Sequence, residues 1–272
     1  MILDPQILAP QVAGVFYPST QEALLETLEK LFKQANPNYP IPKAIIAPHS
    51  GYLYSGRVSA EAFAVLNKTI NPNSIKRVIL LAPAHELPFM GIATHQAEYF
   101  STPLGKILLD HQWIEKCFAI EEVSYLDLAF INEHTLEVQL PFLQYLLGEF
   151  TLVPLIIGQC ITQAVLELFE VLISNLNSEN TAETLIVISS DLCQYQPDSL
   201  ARELDQLTQD QIIRLQWEGL THDDASGEIA IKALLQWAHD KRWKGQCRLL
   251  SNSGESLGEK DKVVGYGAFH FY

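Results

Sequence analysis

A chain of 272 residues is long enough for one large domain or two small ones, and at this size folding buries about 70 to 75% of the unfolded surface without disulfide or metal staples. Eighteen Lys and Arg against 32 Asp and Glu leave a formal charge of -14, which argues against nucleic acid or an anionic membrane surface as a partner. Apolar residues make up 48% but fall in strand-sized runs, shorter than the roughly 20 residues that a spanning helix requires.

Residues 1–10 carry Asp4 and two prolines, with no basic or apolar signal region, so the expected location is cytoplasmic. From Ser19 the sequence STQEALLETLEKLFKQA opens with Ser19 and Glu22 as a capping box and repeats Leu24, Leu25, Leu28, Leu31 and Phe32 at helical spacing. Three prolines in residues 36–42 punctuate the chain before KAIIAP, an apolar run of the kind found in strands buried on both faces. Residues 58–66 read as helix, RVILLAP from Arg77 as strand, residues 111–118 as a weak helix and residues 133–147 as a strong one, kinked near Glu137 by Pro141. LVPLIIG from Leu152 is the next strand, followed by a helix over 162–176, the strand TLIVISS from Thr184, and helices over 201–217 and 224–239. QCRLLSNS and VVGYGAFHFY close the chain as strands. This alternation predicts an α/β fold over residues 1–272 as a single domain: a mostly parallel or mixed sheet, helices on both faces, antiparallel additions at its edge.

Three polar residues follow predicted strands directly: His49 after KAIIAP, His85 after VILLAP and Asp191 after LIVISS. In open α/β sheets the crevice beyond the strands' carboxyl ends is where ligands bind. His134 stands at a helix start behind Asn132 as N-cap, where the helix dipole favours a neutral, ligand-competent imidazole. Imidazoles and a carboxylate on converging supports suit a divalent metal ion, whereas a single histidine after a strand is as readily a loop residue bonded to a carbonyl. Tyr52, Tyr54 and Arg57 in HSGYLYSGR stand at the same rim and can bond to or stack on a ligand. Gly254 to Gly258 match the G-x-S-x-G string of a nucleophile elbow, but only Asp261 and His270 remain downstream as partners and an alternating strand follows, so these glycines are read as a loop between strands and His270 as structural. The four cysteines, Cys117, Cys160, Cys193 and Cys247, show no C-x-x-C spacing and read as free thiols.

Six ordered segments, AGVFYP, APHSGYLYSG, NEHTLEVQLPFLQ, VPLIIG, SSDLCQY and NSGES with VVGYGAF, resemble the Memo family, whose bacterial and archaeal members are called AmmeMemoRadiSam system protein B. The resemblance implies a fold similar to class III extradiol dioxygenases, which are non-haem iron enzymes, and a pocket at the corresponding place. Carried over by motif, two pocket histidines fall on His49 and His85 and the pocket acid on Asp191. The third family histidine falls on Gln194, and a cysteine common in relatives falls on Ser226. An amide is a poor metal ligand and no base, and a hydroxyl binds borderline metals more weakly than a thiolate. The expectation is therefore one divalent ion, iron, copper or zinc, on His49 and His85, with the third ligand drawn from Asp191, His134, Glu133 or solvent, and His134 or Asp191 handling protons in whatever redox or oxygenase activity survives. Cys193, beside Asp191, is either a redox thiol or a buried inert one. The alternative is a pocket that binds a small molecule, a peptide, or an anionic or aromatic group of a partner protein without turnover. The family's system name adds radical SAM and AMMECR1-like proteins as expected partners.

Overall fold

A computed structural model describes residues 6–67, 75–173 and 183–272. The last three residues of the helix expected over 162–176 and the first five of the N-terminal stretch lie outside them. In chain order the strands are β1 (Ile7–Leu8), β2 (Ala44–Ala47), β3 (Arg77–Pro83), β4 (Ile92–Thr94), β5 (Tyr99–Thr102), β6 (Gly105–Leu109), β7 (Val123–Tyr125), β8 (Thr151–Ile157), β9 (Thr184–Ser189), β10 (Gln194–Gln196), β11 (Gly245–Asn252) and β12 (Val263–Phe271). The α-helices are α1 (Gln21–Phe32), α2 (Tyr52–Phe63), α3 (His111–Cys117), α4 (His134–Glu137), α5 (Leu140–Leu147), α6 (Thr162–Ile173), α7 (Asp198–Ile213), α8 (Glu228–Asp240) and α9 (Ser253–Leu257).

The apolar runs AIIA, RVILLAP, TLVPLII and TLIVIS form the parallel centre of a mixed sheet, ordered β8-β3-β9-β2. Every residue of β2 and β9 is buried, and successive side chains on a strand point to opposite faces, so both faces are covered. Two groups of helices do this: α1, α2 and α5 pack on one another, and α6 packs on α3 and α8. On one flank β12 runs antiparallel to β2, with β10 and β11 antiparallel to β12; on the other β6 runs parallel to β8, β5 antiparallel to β6, and β1 parallel to β5. The parallel centre with antiparallel additions is the architecture expected from the sequence.

Local details differ for identifiable reasons. The cap of α1 is Thr20, whose side chain accepts from Ala23 N, rather than Ser19. Helix α2 starts at Tyr52, six residues before the expected 58, because its small residues let it pack closely: a Cβ on Gly56 would come within 2.9 Å of Leu31 Cδ1 on α1. The helix expected over 133–147 is broken into α4 and α5 rather than kinked, with Pro141 in the first turn of α5, where its missing N–H costs no bond. Its cap is Glu133, not Asn132, which adopts a positive φ of 59° just upstream. The GESLG stretch is a short helix ended by the left-handed Gly258, not a plain loop between β11 and β12. Strands β4 to β7 were not anticipated, being three to five residues long and only partly apolar.

His270 is fully buried in β12, and its Nε2 lies 2.7 Å from the Ala62 carbonyl. Burial lowers its pKa from 6.5 to about 4. Below pH 6.5 the unfolded chain takes up a proton here that the native chain refuses until about pH 4, so the group's contribution is fully present above pH 6.5 and is lost as pH falls. By this linkage it amounts to about 3 kcal/mol. Urea unfolding of the wild type should therefore weaken between pH 7 and pH 4.5 more than that of His270→Gln; equal losses would show that His270 does not carry the effect.

Candidate metal centre

Each polar residue after a central strand sits two positions beyond its end: His49 after Ala47, His85 after Pro83 and Asp191 after Ser189. Parallel neighbours in register bring these positions to one edge of the sheet. Helix α4 comes in over that edge with His134 as its first residue. The rings of His49, His85 and His134 have centroids 5.1 to 5.7 Å apart, and one ring nitrogen from each lies within 4.8 Å of the others.

Two buried carboxylates hold these loops. Glu133 Oε2 accepts from the backbone N–H of His85 (2.7 Å) and Glu86 (3.1 Å), and Oε1 accepts from Thr135 N (3.1 Å), so one side chain caps α4 and pins the loop that carries His85. Asp191 Oδ1 accepts from His49 N (2.8 Å) and Oδ2 from Ser50 Oγ (2.7 Å). Both residues are 3% exposed. Burial pushes the Glu133 carboxyl up, but its amide donors outweigh burial and hold it below the usual value. At Asp191 burial prevails over the Ser50 and His49 donors, and the carboxyl is raised.

The hydrogen-bond network also assigns a tautomer. Ser189 Oγ donates its one proton to the Thr135 carbonyl (2.5 Å) and accepts from Gln139 Nε2 (2.8 Å). Facing His49 Nδ1 at 3.1 Å, it is left to accept, so Nδ1 carries the proton and the lone pair of Nε2 points into the cluster. Burial, with His85 and His134 adding to it, keeps the His49 pKa well below 6.5, and burial likewise lowers that of His134. Both imidazoles are thus neutral near pH 7, the form that ligates metals. His49 Nε2 and His85 Nε2 stand 3.3 Å apart, close to the roughly 3.4 Å separating two ligands with Zn–N bonds of about 2.0 to 2.1 Å in tetrahedral geometry. The donor set fits a borderline divalent ion. The third ring nitrogen comes from His134, while the oxygens of Asp191 and Glu133 are already taken by backbone and hydroxyl donors.

The remaining residues singled out from the sequence fall in different places. Ser226 is buried, with Oγ 3.3 Å from His49 Nε2 and accepting from Asp191 N (3.1 Å). Gln194 lies in β10, paired with Val264 of β12. Tyr52 is buried and its hydroxyl donates to the Val138 carbonyl (2.8 Å). The Tyr54 carbonyl accepts from Ser256 Oγ of α9 (3.0 Å), and the Arg57 guanidinium stands 4.0 Å from Glu255, also on α9. Cys193 packs with Ala201 and Val263, and burial together with the Asp205 charge pushes its thiol up, against nucleophilic or redox use. Beside His85 and Ser226 a crevice of about 300 Å³ opens, walled by Pro88, Phe89, Ile157 and Ile229, with Gln159 and His222 as polar lining. Sequence reasoning missed Ser189, Gln139 and Phe16, whose ring stacks on His134 at 4.4 Å. Gln139 stands five residues after His134 and Ser189 two before Asp191, whereas Phe16 lies far from every flagged residue in sequence.

A family model described as Memo-like protein matches residues 9–270. A MEMO1 family protein of Methanosarcina barkeri is 35% identical over 272 residues, covering 95% of this chain and 97% of the relative. Similar proteins of the same description occur in Aquifex aeolicus (31% over 269 residues, 96% and 97%) and Methanopyrus kandleri (29% over 291 residues, 97% and 98%).

Ser226→Cys places a thiol where the hydroxyl now faces His49 Nε2. Cobalt(II) added to this variant should produce a sulfur-to-metal charge-transfer band that the wild type lacks, because a thiolate is a far better ligand for borderline ions. A folded variant without the band would place residue 226 outside the ion's reach.

Proposed function

This chain belongs to the Memo-like family, and on that footing we propose that it is a metal protein in which His49, His85 and His134 hold one divalent cation at the inner end of a small-molecule crevice. The observation that carries this reading is a charge left without a counterpart. Among the described residues, the ion pairs of Glu133 and Asp191 are with histidines alone, and neither carboxylate meets a Lys or Arg. Two acidic groups buried beside neutral imidazoles are costly unless a cation joins them. A dication ligated by the three rings supplies that charge.

Three imidazoles with serine or solvent nearby favour iron, copper or zinc over calcium or magnesium, which prefer oxygen ligands. When bound, such an ion supplies Lewis acidity toward an oxygen of the substrate and, as iron or copper, electron transfer with dioxygen. The chain's residues set the terms of that chemistry. Ser189 and Gln139 fix the His49 tautomer, and Glu133 fixes the backbone on which His85 and His134 stand. His85, the exposed member, borders the crevice, so a ligand entering there meets the ion on the His85 side, while Phe89, Ile157 and Ile229 provide apolar walls. The Ser226 hydroxyl is placed to bond a ligand atom at the same face.

A second reading, binding without turnover, is favoured by one observation: the oxygens of Glu133 accept four hydrogen bonds from the fold, which hold its carboxyl below the usual value and make it a poor base. Oxygenase chemistry of the class III extradiol kind would then leave the substrate's proton to Asp191 or solvent.

Metal-free protein titrated with iron(II), copper(II) or zinc should bind one ion per chain. At a free concentration a hundredfold above Kd the ion should stabilise the fold by about 2.7 kcal/mol, seen as a higher melting temperature. His134→Ala should abolish the rise. No metal in the purified protein and no rise with any of the three ions would refute the reading, and oxygen uptake with catecholic substrates separates turnover from binding alone.

A further inference from the structure

The three histidines are not held equally. His49 is tied through Nδ1 to Ser189 Oγ, and His85 is held by its backbone N–H to Glu133. No hydrogen bond among the described residues reaches the His134 ring; Glu133 Oε1 stands 3.6 Å from its Nδ1, outside bonding range. What lies against the ring is Phe16, stacked at 4.4 Å with the planes 24° apart.

Phe16 comes from the segment between β1 and α1, which is far from α4 in sequence and is fixed to it by one buried side chain. Glu137, the last residue of α4, accepts from Gln11 N (2.6 Å), Val12 N (3.0 Å) and Tyr17 Oη (2.5 Å). Between these anchors the chain turns through Gly14 at a φ of +86°, with Phe16 N bonded to the Val12 carbonyl (3.0 Å) and the Phe16 carbonyl accepting from Tyr52 N (2.8 Å). One turn of helix therefore presents a ligand at its first residue and, at its last, binds the loop that returns an aromatic plate to that ligand.

We propose that Glu137 is a positioning residue of the metal centre: by anchoring residues 11–17 it sets Phe16 face to face on His134 and so fixes the rotation at which this imidazole meets the ion. Outer groups that orient a ligating histidine are normally hydrogen-bonded carboxylates or carbonyls. Here the ring face does that work, and the carboxylate acts one step further out. The inference rests on His134 being a ligand.

Cobalt(II) titration of the full-length chain tests it, read by visible absorption, which reports coordination geometry, beside melting temperature in the absence of metal. Phe16→Leu keeps apolar cover but removes the flat ring; it should weaken cobalt binding roughly tenfold and change the band shape, with Phe16→Trp restoring both. Glu137→Gln, which keeps one acceptor oxygen, should change the spectrum in the same way as Phe16→Leu. Where Glu137→Gln fails to fold, the Phe16 pair decides. If the wild type binds cobalt, His134→Ala abolishes binding, and Phe16→Leu matches the wild type in Kd and spectrum, the proposal is wrong while the metal site stands. If the wild type binds neither cobalt nor iron, copper or zinc, the metal site falls and the proposal falls with it.

Discussion

Two buried carboxylates, each hydrogen-bonded by donors of the chain itself, are the constraint on which the candidate site depends. Glu133 gathers the amides of His85, Glu86 and Thr135, and Asp191 gathers the amide of His49 and the hydroxyl of Ser50. Charge-assisted bonds of this kind are stronger than neutral ones, and in a buried setting they fix loops that would otherwise diverge from the sheet edge. They also leave the site electrically unfinished. Each acid accepts hydrogen bonds without having its charge cancelled, so the folded chain holds negative charge next to His49 and His134, two imidazoles that burial keeps from protonating. Protonating those histidines would answer the charge but is opposed by desolvation and by their mutual repulsion. A ligated cation answers it without that conflict.

The sheet explains why the donors converge at all. A site residue two positions past the end of each of three parallel strands, the ligands His49 and His85 and the loop-anchoring Asp191, is a geometric consequence of β2, β9 and β3 being neighbours, with no special loop required. The fourth contributor, α4, reaches the same edge because the helical run is interrupted after Glu137. Had the chain continued as one straight helix through Pro141, the proline ring would have met the carbonyl four residues earlier, so the break that frees this single turn follows from the residue that forbids continuity.

What was legible in the sequence was whatever depended on local periodicity. The runs AIIA, RVILLAP, TLVPLII and TLIVIS announce buried parallel strands, and the polar residue following three of them announces a site. What was not legible depended on distant partners. Asn132 is a good N-cap by residue type, but Glu133 takes the role because its carboxylate also satisfies the loop of His85, 48 residues away. The sequence suggests a helix only from residue 58, yet it starts at Tyr52 because Gly56 fits against Leu31. His134 was named, but its standing as the third donor, in preference to Asp191 or Glu133, follows from where the hydrogen bonds of those acids go, which no spacing reveals.

Ser226 and Gln194, the two positions at which the sequence resemblance implies another residue, have unequal places in the structure. Ser226 stands within reach of His49 Nε2, so exchanging a thiol for a hydroxyl there alters the immediate surroundings of any bound ion, removing a soft, charged donor and leaving a neutral one. Gln194 lies in a short strand paired with β12, and the histidine cluster closes without it. A cluster of three neutral nitrogens adds no charge of its own to the ion, so a dication bound here keeps more of its positive charge than one bound to a thiolate. It is then a stronger Lewis acid, and its higher oxidation state is less stabilised by its ligands. Such a donor set would favour polarising a bound oxygen donor over giving up an electron.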